Sequence, residues 1–284
     1  MNRRIGFLID MDGVIYRGNE LIDGSVKFIN LLEQRQIPFT FLTNNSQRTQ
    51  KDIIVKLNRW GLKINEDNVY TSALATARFL SQQKPNGTAF IVGEGGLFNA
   101  LNDVGYAIVD KNPDFVVIGE GRLLNLEIME LAVRLVSKGA RLIATNLDAN
   151  CPTAEGEIRP GCGAFVKLIE EATGKKAFSV GKPCPIIFRS ARKRLNLGTD
   201  DTIVIGDTME TDILGAVSLG LTSILTLTGS TKRNDLINYP YRPDIIIESI
   251  KEMPDILDSH ILTANLNHSD FKDSDFRNYK FIET

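Results

Sequence analysis

The run Ile5-Gly6-Phe7-Leu8-Ile9 carries no polar side chain and stops abruptly at Asp10-Met11-Asp12-Gly13. A strand exposed on one face would alternate apolar and polar residues. This run does not, so it must be covered on both faces, as in a parallel sheet between two layers of helices. Ser25 is placed to cap a helix whose apolar stripe is Val26, Phe28, Ile29, Leu31 and Leu32. Residues 38–42 read as a second strand, ending in the polar cluster Thr43-Asn44-Asn45-Ser46, which reads as the cap of the next helix. Strand, helix and strand make a βαβ unit, and the alternation continues. Strands are expected at 89–92, 115–118, 141–144, 202–205, 223–227 and 244–247, and helices near 95–103, 125–138, from 163 and at 185–195. The expected fold is α/β, a doubly wound, mainly parallel Rossmann-like core with an α/β insertion.

Composition narrows the partners. With 33 basic against 35 acidic residues, the formal charge of −2 attracts neither nucleic acid nor an anionic membrane. No apolar run approaches the roughly 20 residues that span a bilayer. Cys151, Cys162 and Cys184 lack CxxC spacing and suit neither a disulfide framework nor a zinc site, so a reducing cytoplasm is expected. The only histidines, His260 and His268, lie near the end of the chain, which disfavours a hydrolase built on a central histidine base. Two turns, Val92-Gly93-Glu94-Gly95 and Ile118-Gly119-Glu120-Gly121, fall short of GxGxxG, because Phe98 and Leu124 stand where the third glycine belongs. They read as tight strand-to-helix turns rather than dinucleotide loops.

Asp10, Thr43 and Asp207 each follow an expected core strand. In open α/β sheets ligands bind beyond the carboxyl ends of the strands, so residues far apart in sequence can share one crevice. Asp10 and Asp12, two apart, leave the same face of an extended segment. With Asp207 and Asp212 they make four carboxylates, which repel unless protons or a cation intervene. A hard divalent ion answers that repulsion, and magnesium suits an all-oxygen donor set. Singly, each piece is ordinary: a DG dipeptide is a turn, a TNNS run a helix cap, a lysine before proline a solvated side chain. Their joint occurrence in order at strand ends is not.

Asp10-Met11-Asp12-Gly13-Val14, Thr43-Asn44-Asn45, Gly181-Lys182-Pro183 and Gly206-Asp207-Thr208-Met209-Glu210-Thr211-Asp212 resemble the four ordered motifs of the haloacid dehalogenase superfamily. Their wording is similar to its NagD-like and 4-nitrophenylphosphatase-like subfamily, which carries a C2-type cap between the second and third motifs. Tyr70-Thr71-Ser72-Ala73, Asn112-Pro113-Asp114-Phe115-Val116 and Ala144-Thr145-Asn146-Leu147-Asp148 resemble the NagD-like branch in particular. The resemblance implies a core domain at 1–82 and 180–262, an inserted cap at 83–179 and a separate tail at 263–284. It implies a phosphoric monoester hydrolase acting through an aspartyl-phosphate. Asp10 would be the nucleophile and Asp12 the acid and base. Lys182 would neutralise the phosphoryl group, while Thr43 and the backbone N–H groups of Asn44 and Asn45 bind it at a helix N-terminus. Asp10, the Asp12 carbonyl and Asp207 would ligate magnesium, with Asp212 holding a metal-bound water. Asn146 and Asp148 are the cap residues expected to reach substrate or to order their loop. Cys151 and Arg159 are weaker candidates, and Cys184 stands where relatives often have serine.

The expected substrate is a small phosphorylated metabolite. Nucleoside monophosphates are favoured, with sugar phosphates, phosphoglycolate and pyridoxal phosphate as alternatives. A phosphoacceptor signalling module is the reading from another class, although receivers are far shorter and lack an insertion. A scaffold protein is a third. Homodimerisation through the cap rests on the resemblance and on the frequency of symmetric oligomers. In the tail, Leu266, Phe271, Phe276 and Phe281 recur every fifth residue, with Ala264, Ser269 and Ser274 two before the first three. This resembles a single coil of pentapeptide repeats, against which stands a polar tail with aromatic anchors.

Overall fold

A computed structural model describes residues 5–122, 125–152 and 157–259. The five-residue period of the tail and both histidines lie outside the described residues. These residues form two compact units. One takes in the chain up to Leu42, Leu57–Asn68 and the chain from Phe188, and the other Thr43–Lys56 and Val69–Ile187. The fold is α/β, with the sheets of both units mainly parallel.

In the first unit, strands run parallel in the order Ile245–Ile247, Thr222–Thr226, Thr202–Gly206, Gly6–Ile9, Phe39–Thr43. The Gly6–Ile9 strand is central, and Phe7, Leu8 and Ile9 are fully buried, as a run without polar alternation requires. Each such side chain contributes roughly 1.5–3 kcal/mol by leaving water. The helix Ser25–Gln34 turns Phe28, Ile29 and Leu32 onto this layer, and the Phe28 ring meets Phe7 edge to face at 5.7 Å. Its cap differs from expectation. Gly24, in a left-handed conformation, holds the N-cap position, and Ser25 lies inside the helix with its hydroxyl donated to the Ile15 carbonyl at 2.9 Å. That buried carbonyl, ten residues back, outcompetes the local cap.

In the second unit, parallel strands run Phe178–Ser179, Arg141–Ala144, Phe115–Ile118, Thr88–Val92, Ala107–Ile108. Helices Leu126–Ser137 and Cys162–Thr173 bury Met129, Ala132, Val136, Val166 and Ile169 against Val116, Ile118 and Leu142. Asn125 caps the first of these, its Oδ1 accepting from the Ile128 N–H at 2.9 Å. The helix Ser72–Gln83, capped by Thr71, and the hairpin Asn150–Pro152 with Ile158–Pro160 have no counterpart in the sequence reading. No helix among the described residues is long and apolar enough to cross a membrane.

The cluster Thr43-Asn44-Asn45-Ser46 is not the cap of the next helix. That helix starts at Gln50, behind a reciprocal pair in which the Asp52 N–H donates to Thr49 Oγ1 and the Thr49 N–H to Asp52 Oδ2. The polar side chains at 44–46 also bond to residues 74 to 138 positions away. Thr43–Lys56 thus falls in one unit with Val69–Ile187, a stretch wider than the insertion expected at 83–179.

Candidate active site

In the first unit, neighbouring strands deliver the acidic residues. Ile9 pairs with Ile205, and the Asp10 N–H donates to the Ile205 carbonyl at 2.8 Å, so Asp10 and Gly206-Asp207 leave the sheet side by side. Asp212 returns to the same place through the wide turn Met209–Ile213, whose Asp212 and Ile213 N–H groups both donate to the Thr208 carbonyl. Gly206 is obligatory for this return, since a Cβ there would strike Asp212 Cβ. Oxygens of Asp10, Asp207 and Asp212 all lie within 4.8 Å of one another.

Asp207 is 4% exposed and Asp212 2%. Asp207 is fixed from several sides: Oδ2 accepts the Ser230 N–H at 2.6 Å, Oδ1 the Thr208 hydroxyl at 3.1 Å, and its carbonyl the Thr231 N–H at 3.1 Å. Gly229 passes so close that any Cβ would meet the Asp207 carboxylate. Three carboxylates this close repel one another, and a positive charge held between them relieves that repulsion. Their all-oxygen donor set fits a hard divalent cation. Asp12 is exposed and its carboxylate stands outside this group of three. Beside it, the Gly13 N–H donates to the Tyr16 carbonyl at 2.7 Å.

In the second unit, Asn44 organises the other motif residues. Its Nδ2 donates to Asp148 Oδ2 and to the Lys182 carbonyl, both at 3.1 Å, and its Oδ1 accepts the Lys182 N–H at 2.7 Å. Its own carbonyl accepts from the Ser72 hydroxyl at 2.6 Å and from Asn146 Nδ2 at 2.9 Å. Lys182, 3% exposed, is thus held by its backbone on a buried asparagine. The Asn45 N–H donates to Thr43 Oγ1 at 3.1 Å, and Asn45 Oδ1 accepts the N–H groups of Gln47 and Arg48, so this segment is a side-chain-built turn rather than a helix N-terminus.

Asn146 is fully buried, and its side chain orders the loop: Oδ1 accepts the Asp148 N–H at 3.0 Å. Burial raises the Asp148 carboxyl above its ordinary value, opposed by the Asn44 hydrogen bond and the Lys182 charge. Burial pushes the Cys151 thiol up to about 11, with the nearby Glu120 carboxylate adding to it, so Cys151 is a protonated thiol and no nucleophile near neutral pH.

The carboxyl at the centre of this network is absent from the motif residues. Glu120, 7% exposed, accepts from Asn45 Nδ2 at 3.3 Å, Asn146 Nδ2 at 3.5 Å and the Cys151 thiol at 3.9 Å. Burial, joined by the Asp148 charge and opposed by Arg159, pushes it up to about 7. The only sequence signal was an acidic residue between two glycines at a strand end, which alone means a turn.

Comparison with known proteins gives a consistent family. A haloacid dehalogenase-like hydrolase model matches residues 7–107, and a second model of HAD-hydrolase-like proteins matches 179–253. The chain is 39% identical over 258 residues to a dihydroxyacetone phosphatase of Corynebacterium glutamicum, covering 91% of this chain and 94% of the relative. It is 37% identical to the ribonucleotide monophosphatase NagD of Escherichia coli, covering 87% and 96%. Among solved structures, a p-nitrophenyl phosphatase from Archaeoglobus fulgidus superposes with a TM-score of 0.84 at 33% identity, over 89% of this chain and 99% of that one.

Proposed function

The chain belongs to the haloacid dehalogenase-like hydrolases, as a NagD-like phosphomonoester hydrolase, and on that footing we propose a magnesium-dependent phosphatase of small metabolites, with nucleoside monophosphates as favoured substrates. The observation that carries the reading is the convergence of Asp10, Asp207 and Asp212 within 4.8 Å at the ends of neighbouring strands.

Asp10, the Asp12 carbonyl and Asp207 would hold the magnesium, with Asp212 holding a metal-bound water, and the ion when bound would neutralise charge on the carboxylates and on the phosphate. Asp10 attacks phosphorus, its carboxylate oxygen forming a bond as the ester oxygen leaves, and an aspartyl-phosphate results. Asp12 gives its proton to the departing oxygen and then takes one from the water that cleaves the acyl phosphate. Its solvent exposure suits a group that must exchange protons in each cycle. Lys182 and Thr43 bind phosphoryl oxygens. Desolvation makes a buried ammonium such as Lys182 a stronger electrostatic partner than one in water. Residues 83–179 act as the cap that sets leaving-group preference, with Asp148 as its reach toward substrate. The relatives' names, a dihydroxyacetone phosphatase and a ribonucleotide monophosphatase, support small phosphomonoesters as the class. Sugar phosphates therefore stand as the second choice.

The test is phosphate release with magnesium from a panel of nucleotides, sugar phosphates, phosphoglycolate and pyridoxal phosphate. Turnover lost both with EDTA and in Asp10→Asn is the expected result. A phosphoryl group stably trapped on Asp10 without turnover of any ester would overturn it in favour of a phosphoacceptor.

A further inference from the structure

We propose that Glu120 is a positioning residue whose carboxylate, as acceptor for three donors, ties the turn after Thr43 to the loop carrying Asp148. The inference rests on the phosphatase reading for its effect on activity, and on geometry alone for its effect on structure.

The connections are made on both sides of the residue. Its backbone N–H donates to the Ser46 hydroxyl at 2.8 Å, which also accepts from Thr145 Oγ1 at 3.1 Å. Its side chain receives Asn45 from the turn, Asn146 from the loop and Cys151 from the adjoining strand. Every side-chain hydrogen-bond partner among the described residues is a donor. An ionised carboxylate can accept from all three, whereas a protonated carboxyl brings its own O–H into a set of donors and leaves a mismatch.

The charges around it make that protonation accessible. Asp148, from the loop after Arg141–Ala144, opposes ionisation, and Arg159, from Ile158–Pro160, favours it. Cys151 stays a neutral S–H donor. Glu94, in the turn before the Gly95–Asp103 helix, is bonded by Gln47 Nε2 and the Arg122 N–H instead. Burial outweighs the favourable contacts and moves Glu120 up to about 7, so it changes charge near neutrality.

Glu120→Gln tests this, because its amide keeps the shape but places an N–H₂ among the donors at every pH. The expected wild-type kcat/KM rises about tenfold from pH 6 to 8, as for a single group titrating near 7. In Glu120→Gln the value at pH 8 falls roughly tenfold, the scale of one disrupted hydrogen bond to a charged group, and the rise flattens. Hydrogen exchange at residues 44–47 and 145–151, corrected for intrinsic rates, needs no substrate. Protection there should be lower in Glu120→Gln than in the wild type at pH 8, where the wild-type carboxylate accepts from all three donors. An unchanged pH profile together with unchanged protection in Glu120→Gln would overturn the proposal. If no ester is hydrolysed by the wild type, the phosphatase reading fails, and exchange still decides the role of Glu120.

Discussion

The two units use carboxyl groups in opposite ways. In the first, Asp10, Asp207 and Asp212 crowd together, and the contacts on Asp207 come from neutral backbone and hydroxyl donors. In the second, Glu120 and Asp148 are met by amide, thiol and cationic partners of the same unit. The first group gathers an all-oxygen donor set at the ends of neighbouring strands, which fits a hard divalent cation. The second spends its charge on holding backbone segments in place. Burial alone therefore does not mark a catalytic carboxylate; the nature of its partners does.

The comparison breaks most sharply at Asp207. Asp207→Asn keeps the volume and removes one ligand charge, and phosphatase activity should fall at least ~10³-fold in steady-state assays. Residual activity within tenfold of wild type would mean that the three carboxylates are no metal centre.

Next in size is the pH dependence of folding. Glu120 is raised above its ordinary 4.5 to about 7, so its contribution is fully present below pH 4.5 and is lost as pH rises through 7. That displacement corresponds to about 3 kcal/mol. Denaturant unfolding should therefore show wild type losing that much relative to Glu120→Gln between pH 4.5 and 8. A constant difference would remove Glu120 from the buried, titrating class. The positioned form is then the less stable one, a trade between stability and activity that working sites commonly make.

Magnesium at a hundredfold excess over its dissociation constant should stabilise the wild type by about 2.7 kcal/mol. Thermal unfolding should register this as a raised Tm that Asp207→Asn lacks and Glu120→Gln retains, which separates the two groups directly. The smallest effect is at Cys151. Cys151→Ser replaces a weak donor by a stronger one, favours the ionised Glu120 and should move the acid limb of kcat/KM to lower pH by a few tenths of a unit. A shift in the other direction would show that the thiol is not the donor.

Much of the first group was legible in the chain. Runs such as Phe7-Leu8-Ile9 and Ile203-Val204-Ile205 identify buried parallel strands, and residues just past such strands come together whatever their separation in sequence. Asp10 and Asp207 needed nothing more. The second group was legible only as motifs. Asn44 and Asn45 read as a helix cap because local rules favour that use, yet the next helix has its own cap at Thr49 and Asp52. Ser25 was misread for the same reason, its hydroxyl going to Ile15.

Strand periodicity and the order of short motifs settled the α/β class, the strand-end carboxylates and the family, because these depend on neighbours a few residues apart and on backbone geometry shared by all chains. The tertiary structure alone decided which buried polar side chains meet. Glu120 is central because Asn45, Asn146 and Cys151, distant in sequence, converge on it with donors. A buried carboxyl takes its charge and its role from partners that only the folded chain brings within reach.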